Sequence, residues 1–260
     1  LTTSKKIRIE LREDQSVFFF SDAHLGIATA GGSSRERENK LIECLDKISG
    51  TAAAVFFVGD LFEFWFEYRS VVPKGYVRII SRLLALKEKG IAVYMFTGNH
   101  DLWMGKYFEE ELGIPVFHDP LEVEINQVRM LVGHGDGLGP GDNMYKLLKK
   151  VFRSSLCQWL FRWLHPDIGT VIARTWSLMS RTPPETELYH GDDKERILLY
   201  ARKKRKQTPY DYFIFGHRHL PIDKVLPEGG RYLNIGDWMY HFTYIEYNGR
   251  EAAIHHYTQS

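Results

Sequence analysis

Five short segments of this chain each set an oxygen or imidazole ligand just past an apolar run. They are Ser21-Asp22-Ala23-His24, Gly59-Asp60, Gly98-Asn99-His100-Asp101, Gly133-His134-Gly135-Asp136 and Gly216-His217-Arg218-His219. The runs that precede them are 17–20, 55–58, 93–96, 130–132 and 212–215, rich in Phe, Val and Tyr. Short β-rich runs that stop at Ser or Gly read as buried strands. The carboxyl ends of strands in an α/β sheet share one edge, where ligands bind. The pattern therefore predicts that Asp22, His24, Asp60, Asn99, His134, His217 and His219 gather at one place. Carboxylate oxygen, amide oxygen and neutral imidazole suit hard or borderline divalent cations. Asp22 and His24 can reach one ion from a single loop, and Asp60 can bridge two ions through its two oxygens. The set is large enough for two cations, an arrangement suited to phosphoester or phosphoanhydride hydrolysis.

The rest of the chain fits that frame. Leu41, Ile42, Leu45 and Ile48 place a helix over about 35–48, and Pro73 is expected to open a second that Gly90 stops. Residues 121–125 and 128–132 read as a hairpin around Asn126-Gln127. The segment 139–181 is helical by pattern, basic, and rich in Trp and Phe. A charged helix follows over about 192–206, then strands near 212–215, 223–226, 231–235, 242–247 and 251–257. The predicted fold is an α/β two-sheet sandwich flanked by helices. Its core takes 1–138 and 182–260, and a helical cap is inserted at 139–181.

At 260 residues and 44% apolar content the chain can bury a substantial core, and its net charge of +1 gives no global attraction to nucleic acid. Cys44 and Cys157 lie in separate predicted helices and read as two reduced thiols of a cytoplasmic protein. Lys5, Lys6 and Arg8 are followed by Glu10, Arg12 and Glu13 rather than an apolar stretch, so no signal peptide is expected.

Taken in order, the five blocks resemble the signature of the calcineurin-like metallophosphoesterases. The resemblance implies one metal on Asp22, His24, Asp60 and His219, and another on Asp60, Asn99, His134 and His217. It implies two divalent ions, Mn²⁺ first, activating a hydroxide nucleophile. It also implies that His100 stabilises the transition state or protonates the leaving group, with Asp101 orienting it. Six other histidines, at 118, 165, 190, 241, 255 and 256, match no block and read as ordinary core or surface residues. Glu63 can reach the site or order its loop.

The cap narrows the resemblance. Between Met144 and Leu164 apolar residues alternate with Lys146, Lys149, Lys150, Arg153 and Arg162, and no acidic residue intervenes. Such a helix suits anionic lipid headgroups, or packs its stripe on the domain with its cations solvated. With Gly-His-Gly-Asp ahead of it and Asn234-Ile235-Gly236-Asp237-Trp238 behind, the chain is similar to the UDP-2,3-diacylglucosamine diphosphatases of lipid A synthesis. Those enzymes cleave a nucleotide-lipid pyrophosphate, giving the lipid monophosphate and UMP. The likeness implies substrate contacts from Asn99, His100, Asp142, Tyr145, Ser180, Arg181 and His217. It implies acyl chains held by the cap, Trp159 and Trp163 included, and peripheral attachment to an anionic inner-membrane surface. No nucleic acid and no obligate protein partner are expected. Many members of that branch carry Arg where this chain has His100. A metallophosphoesterase acting on another nucleotide-lipid, a phosphomonoester or a cyclic nucleotide is the alternative. A catalytically inactive scaffold of the same fold is the non-enzyme alternative, against which the intact ligand set argues.

Overall fold

The computed structural model describes residues 6–29, 32–180 and 188–258, with the backbone alone at 174, 176 and 178–180. Two six-stranded sheets stack face to face. One runs β12 (Ala252–His256), β11 (Thr243–Tyr247), β2 (Ser16–Phe20), β3 (Ala52–Val58), β4 (Ala92–Phe96) and β5 (Val116–Phe117). The other runs β1 (Lys6–Ile9), β6 (Leu121–Ile125), β7 (Val128–Gly133), β8 (Tyr212–Phe215), β10 (Arg231–Ile235) and β9 (Pro221–Val225).

Strand periodicity sorts the apolar side chains into layers. Val17, Phe19, Ala54, Phe56 and Val58 face the other sheet and meet Val123, Met130, Val132, Ile214 and Leu233 there. Their neighbours Phe18, Phe20, Val55 and Phe57 point the other way. They pack on α1 (Ser34–Ile48), α2 (Val77–Glu88) and α3 (Tyr107–Leu112). On the second sheet, Leu131, Phe213 and Phe215 receive Ile197, Leu198 and Ala201 of α7 (Arg196–Arg205). β2 and β3 are buried on both faces, so they read as continuous apolar runs rather than alternating ones.

Local chemistry sets the boundaries. Ser33 caps α1, accepting from the Glu36 N–H at 3.2 Å while Glu36 accepts from the Ser33 N–H at 2.7 Å. Asn126 and Gln127 both take positive φ, 47° and 72°, the turn a two-residue hairpin requires. The second helix departs from expectation. It begins at Val77, past Pro73, because Gly75 takes φ +103° and breaks the helical path between them. Two short strands are not anticipated from the sequence: the edge strand β1, only four residues of alternating Lys-Ile-Arg-Ile, and β5, which is only two residues long.

Among the described residues between β7 and α7 lie three helices, α4 (Asn143–Phe152), α5 (Ser155–Arg162) and α6 (Pro166–Ser180). Trp103 Nε1 donates to the Phe152 carbonyl at 2.7 Å, and Arg153 grips Asp119 through two bonds of 2.7 and 3.1 Å. Phe161 stacks against Phe66 and Trp103. Cys44 is buried under α1, Cys157 sits in α5, and neither is disulfide-bonded.

Candidate metal centre

The candidate ligands all follow the carboxyl ends of parallel strands. Asp22 and His24 come after β2, Asp60 after β3 and Asn99 after β4 in one sheet. His134 follows β7, and His217 and His219 follow β8, in the other. Asp22, His24, Asp60, His217 and His219 each adopt positive φ, between 43° and 68°. That conformation turns each loop sharply as it leaves the strand, and Asp, Asn and His tolerate it better than most residues. Backbone bonds then lace the loops together: Asp22 N–H to Gly59 O at 3.1 Å, His24 N–H to Asp60 O at 3.0 Å, and Gly216 N–H to His134 O at 2.9 Å.

The side chains converge into two adjoining groups that meet at Asp22 and Asp60. Asp22 Oδ1 lies 3.2 Å from His219 Nε2 and 3.7 Å from His24 Nε2. Asp60 Oδ2 lies 3.7 Å from His24 Nε2 and 3.3 Å from His134 Nε2. Asn99 Oδ1 is 3.3 Å from the same His134 nitrogen. The His217 ring stands 5.2 Å from that of His134, and its backbone N–H donates to Asp22 Oδ2 at 2.9 Å. Asp60 Oδ1 accepts the His100 N–H at 2.8 Å.

The donor set fits divalent cations on three counts. Asp22 Oδ1 and His24 Nε2 are buried without a hydrogen-bond partner, a condition that costs roughly 1–3 kcal/mol per group unless something fills it. The far nitrogens of three imidazoles face acceptors: His24 Nδ1 meets Glu63 Oε2 at 3.1 Å, His134 Nδ1 meets Val58 O at 2.9 Å, and His219 Nδ1 meets Asp237 Oδ2 at 3.6 Å. Metal-ligating histidines are typically backed in this way. The electrostatics agree. Burial opposes ionisation of Asp22 and Asp60, yet the imidazoles around them, His219 and His134 for the first and His134 and His100 for the second, hold both carboxyls well below the usual range. Burial likewise opposes charge on His134, but Asp60 and Asp22 push it up to about 10. His217 is driven down to about 4 by burial and by the charge of His134. A cation entering here would displace the imidazole protons and take their place among the carboxylates.

Glu63 and Asp237 are buried partners whose roles sequence spacing did not assign. Asp237 also accepts from the backbone N–H groups of Met239, Tyr240 and His241. Asp101 also braces the ligand loops. Its carboxylate accepts from the backbone N–H groups of Gly98 at 2.7 Å, Asp60 at 3.3 Å and Phe62 at 3.4 Å. Burial and the nearby charge of Asp60 raise it to about 7. It therefore shapes the ligand loops, and the groups beside His100 Nδ1 are Ser177 Oγ at 3.2 Å and Glu63 Oε1 at 3.8 Å.

A cavity of ≈1220 Å³ opens from this centre beneath the cap. His24, Asp60, Asn99, His100, His217 and His219 form one end, and Phe64, Trp103, Leu148, Phe152, Phe161 and Ile172 line its apolar wall. Asp142 and Tyr145 also face it. Asp142 is paired with Arg196 at 2.8 Å, and Tyr145 donates to the buried Asp136 at 2.7 Å. Lys149 reaches the same Asp136 carboxylate at 2.6 Å, so the last residue of the Gly-His-Gly-Asp block anchors α4. His190, unassigned from sequence, lines the cavity as well. The Ser180 side chain and Arg181 lie outside the described residues. Trp159 and Trp163 are not in the wall. They stand 52% and 76% exposed on the outside of the cap, because α5 turns Cys157 and Phe161 inward and the tryptophans away.

Comparison with known proteins agrees with this geometry. The model of the calcineurin-like phosphoesterase family matches residues 16–221. A UDP-2,3-diacylglucosamine hydrolase of Porphyromonas gingivalis is 32% identical over 92% of this chain and 96% of its own length. One of the same name from Aeromonas salmonicida is 25% identical over 86% of each chain. Among solved structures, an archaeal phosphodiesterase aligns over 94% of this chain and all of its own, at 13% identity and a TM-score of 0.48. The matched span runs through all five ligand blocks, and the fold brings those blocks to a single edge. On that ground the chain belongs to the calcineurin-like phosphoesterase family, and its chemistry is metal-dependent hydrolysis of a phosphoester or phosphoanhydride.

Proposed function

We propose that the protein hydrolyses the pyrophosphate of UDP-2,3-diacylglucosamine to 2,3-diacylglucosamine 1-phosphate and UMP. The observation that carries this reading is the two-ended cavity, with buried carboxylates and imidazoles at one end and an apolar wall supplied largely by the cap at the other. The P. gingivalis relative bears a name for that substrate over nearly its whole length. Asp22, His24, Asp60 and His219 would hold one divalent cation, and Asp60, Asn99, His134 and His217 a second. The oxygen and imidazole set favours Mn²⁺. When bound, the two cations supply Lewis acidity for the phosphoryl oxygens and lower the pKa of the hydrolytic water.

The chain's own residues do the rest. His100 stands at the metal end of the cavity, where it would stabilise the transition state or give its proton to the departing phosphate oxygen. Asp142 and Tyr145 border the sugar, and residues 139–181 act as a lid. Phe152, Phe161, Leu148 and Ile172 receive the acyl chains, where each buried CH₂ is worth about 0.8 kcal/mol.

The outside of the cap exposes Met144, Leu147, Leu156, Trp159 and Trp163 together with Lys150 and Arg162. No helix among the described residues is long and apolar enough to cross a membrane. We propose that this face rests on an anionic bilayer and lets the substrate's chains pass from lipid to cavity. The test is a substrate panel read by each substrate's own hydrolysis product: UMP from the UDP-sugars, AMP from cyclic AMP and p-nitrophenol from p-nitrophenyl phosphate. UDP-2,3-diacylglucosamine should be cleaved far faster than UDP-N-acetylglucosamine, cyclic AMP or p-nitrophenyl phosphate. Preference for any of the small substrates would refute the lipid reading and leave the hydrolase chemistry standing.

A further inference from the structure

Ser177 is a hydroxyl buried on a cap helix whose Val171 and Ile172 remain exposed. It is 4% exposed, and its Oγ donates to Glu63 Oε1 and lies 3.2 Å from His100 Nδ1. Glu63 already backs His24 with its other oxygen, Oε2, at 3.1 Å. His24 and His100 meet edge to face, with ring centroids 4.6 Å apart. One carboxylate therefore stands between a candidate metal ligand and the candidate acid, and a residue of the cap closes over both.

We propose that Ser177 is a positioning residue for His100, so that the seated cap completes the catalytic end of the cavity as well as its apolar end. The inference rests on the role given to His100 under the proposed function. The bonding order follows from the donors. Ser177 has one hydroxyl proton, which goes to the Glu63 carboxylate. Its oxygen is then an acceptor, and the partner it fits is a proton on His100 Nδ1. That bond fixes the ring's rotation and assigns Nδ1 the standing proton. Nε2 becomes the nitrogen whose proton is exchanged with the leaving group. Ser177 lies 77 residues beyond His100 and 114 beyond Glu63, so the contact exists only when α6 is docked. Binding of substrate beneath the cap is thereby tied to the orientation of the acid.

The experiment compares full-length wild type with Ser177→Ala, Ser177→Thr and His100→Ala, and with the Ser177→Ala/His100→Ala double variant. Ser177→Ala should lower kcat roughly 10-fold, the scale of one hydrogen bond to a charged group, with KM and bound metal unchanged. Ser177→Thr keeps the hydroxyl and should recover most of that loss. In the His100→Ala background the serine substitution should cost nothing more. A second readout needs no turnover. In protein carrying nitrogen-labelled histidine, the His100 Nδ1 signal should be that of a proton-bearing nitrogen in wild type, and should move toward tautomer averaging in Ser177→Ala. Additive losses in the double variant, an effect confined to KM, or an unchanged ring spectrum would each overturn the proposal. Because the spectrum is read without substrate, a wild type that fails to cleave the lipid would remove the substrate reading and leave the Ser177 assignment to be judged on its own.

Discussion

At Asp60 the two carboxylate oxygens have separate tasks. Oδ1 holds the backbone of the following ligand loop through the His100 N–H, and Oδ2 faces both imidazole groups. Asp60→Ala should therefore release at least one bound metal per chain by elemental analysis and abolish nearly all turnover. Asp60→Asn keeps the loop contact but lacks the charge, and should retain the fold while still losing metal. A variant that keeps two metals and its activity would remove Asp60 from the bridging position. The clustering of the seven candidate ligands was legible because chemistry restricts each to a few residue types and strand ends fix their place. Asp237 and Ser177 were not assigned roles from sequence, and Glu63 was left between reaching the site and ordering its loop. A residue that braces a histidine is set by what lies across the fold, and no spacing along the chain encodes that. For the same reason, adjacency to His100 could not show that three backbone N–H groups also hold the Asp101 carboxylate.

Helices α4 and α5 present two apolar faces, and sequence periodicity could not tell which one a given side chain joins. Phe152 and Phe161 line the cavity, whereas Trp159 and Trp163 look outward. Substituting each pair should separate two properties that the sequence had merged. Phe152→Ser with Phe161→Ser should raise KM for the diacyl substrate in detergent, by roughly 30- to 150-fold if about 2–3 kcal/mol of chain burial is lost. Trp159→Ser with Trp163→Ser should leave detergent kinetics near wild type and weaken sedimentation with anionic vesicles. Loss of detergent turnover in the tryptophan pair would place these residues in the substrate site after all. The strands were easier to read than the helices' orientation, because doubly buried strands such as β2 and β3 are uninterrupted apolar runs. The edge strand β1 escaped notice, since its place depends on pairing with β6 and on Lys6 meeting Glu122 at 3.0 Å.

The centre spans the seam of the whole molecule, with Asp22, His24, Asp60 and Asn99 supplied by one sheet and His134, His217 and His219 by the other. Ions held there would bind the folded chain and not the unfolded one. Each site at a hundredfold excess of metal over its Kd adds about 2.7 kcal/mol of stability. Chelation should accordingly lower Tm by several degrees, and Mn²⁺ should restore it. An identical Tm with and without chelator would show that the seam needs no ion. Five of the seven candidate ligands sit where the backbone is left-handed, a conformation costly to most side chains and impractical for β-branched ones. A pool of random variants selected for folding alone, with metal binding ignored, should thus still favour Gly, Asn, Asp and His at positions 22, 24, 60, 217 and 219. Part of the motif is then a stereochemical record of the turns, so a lineage that abandoned catalysis could keep much of this spelling long after losing its use.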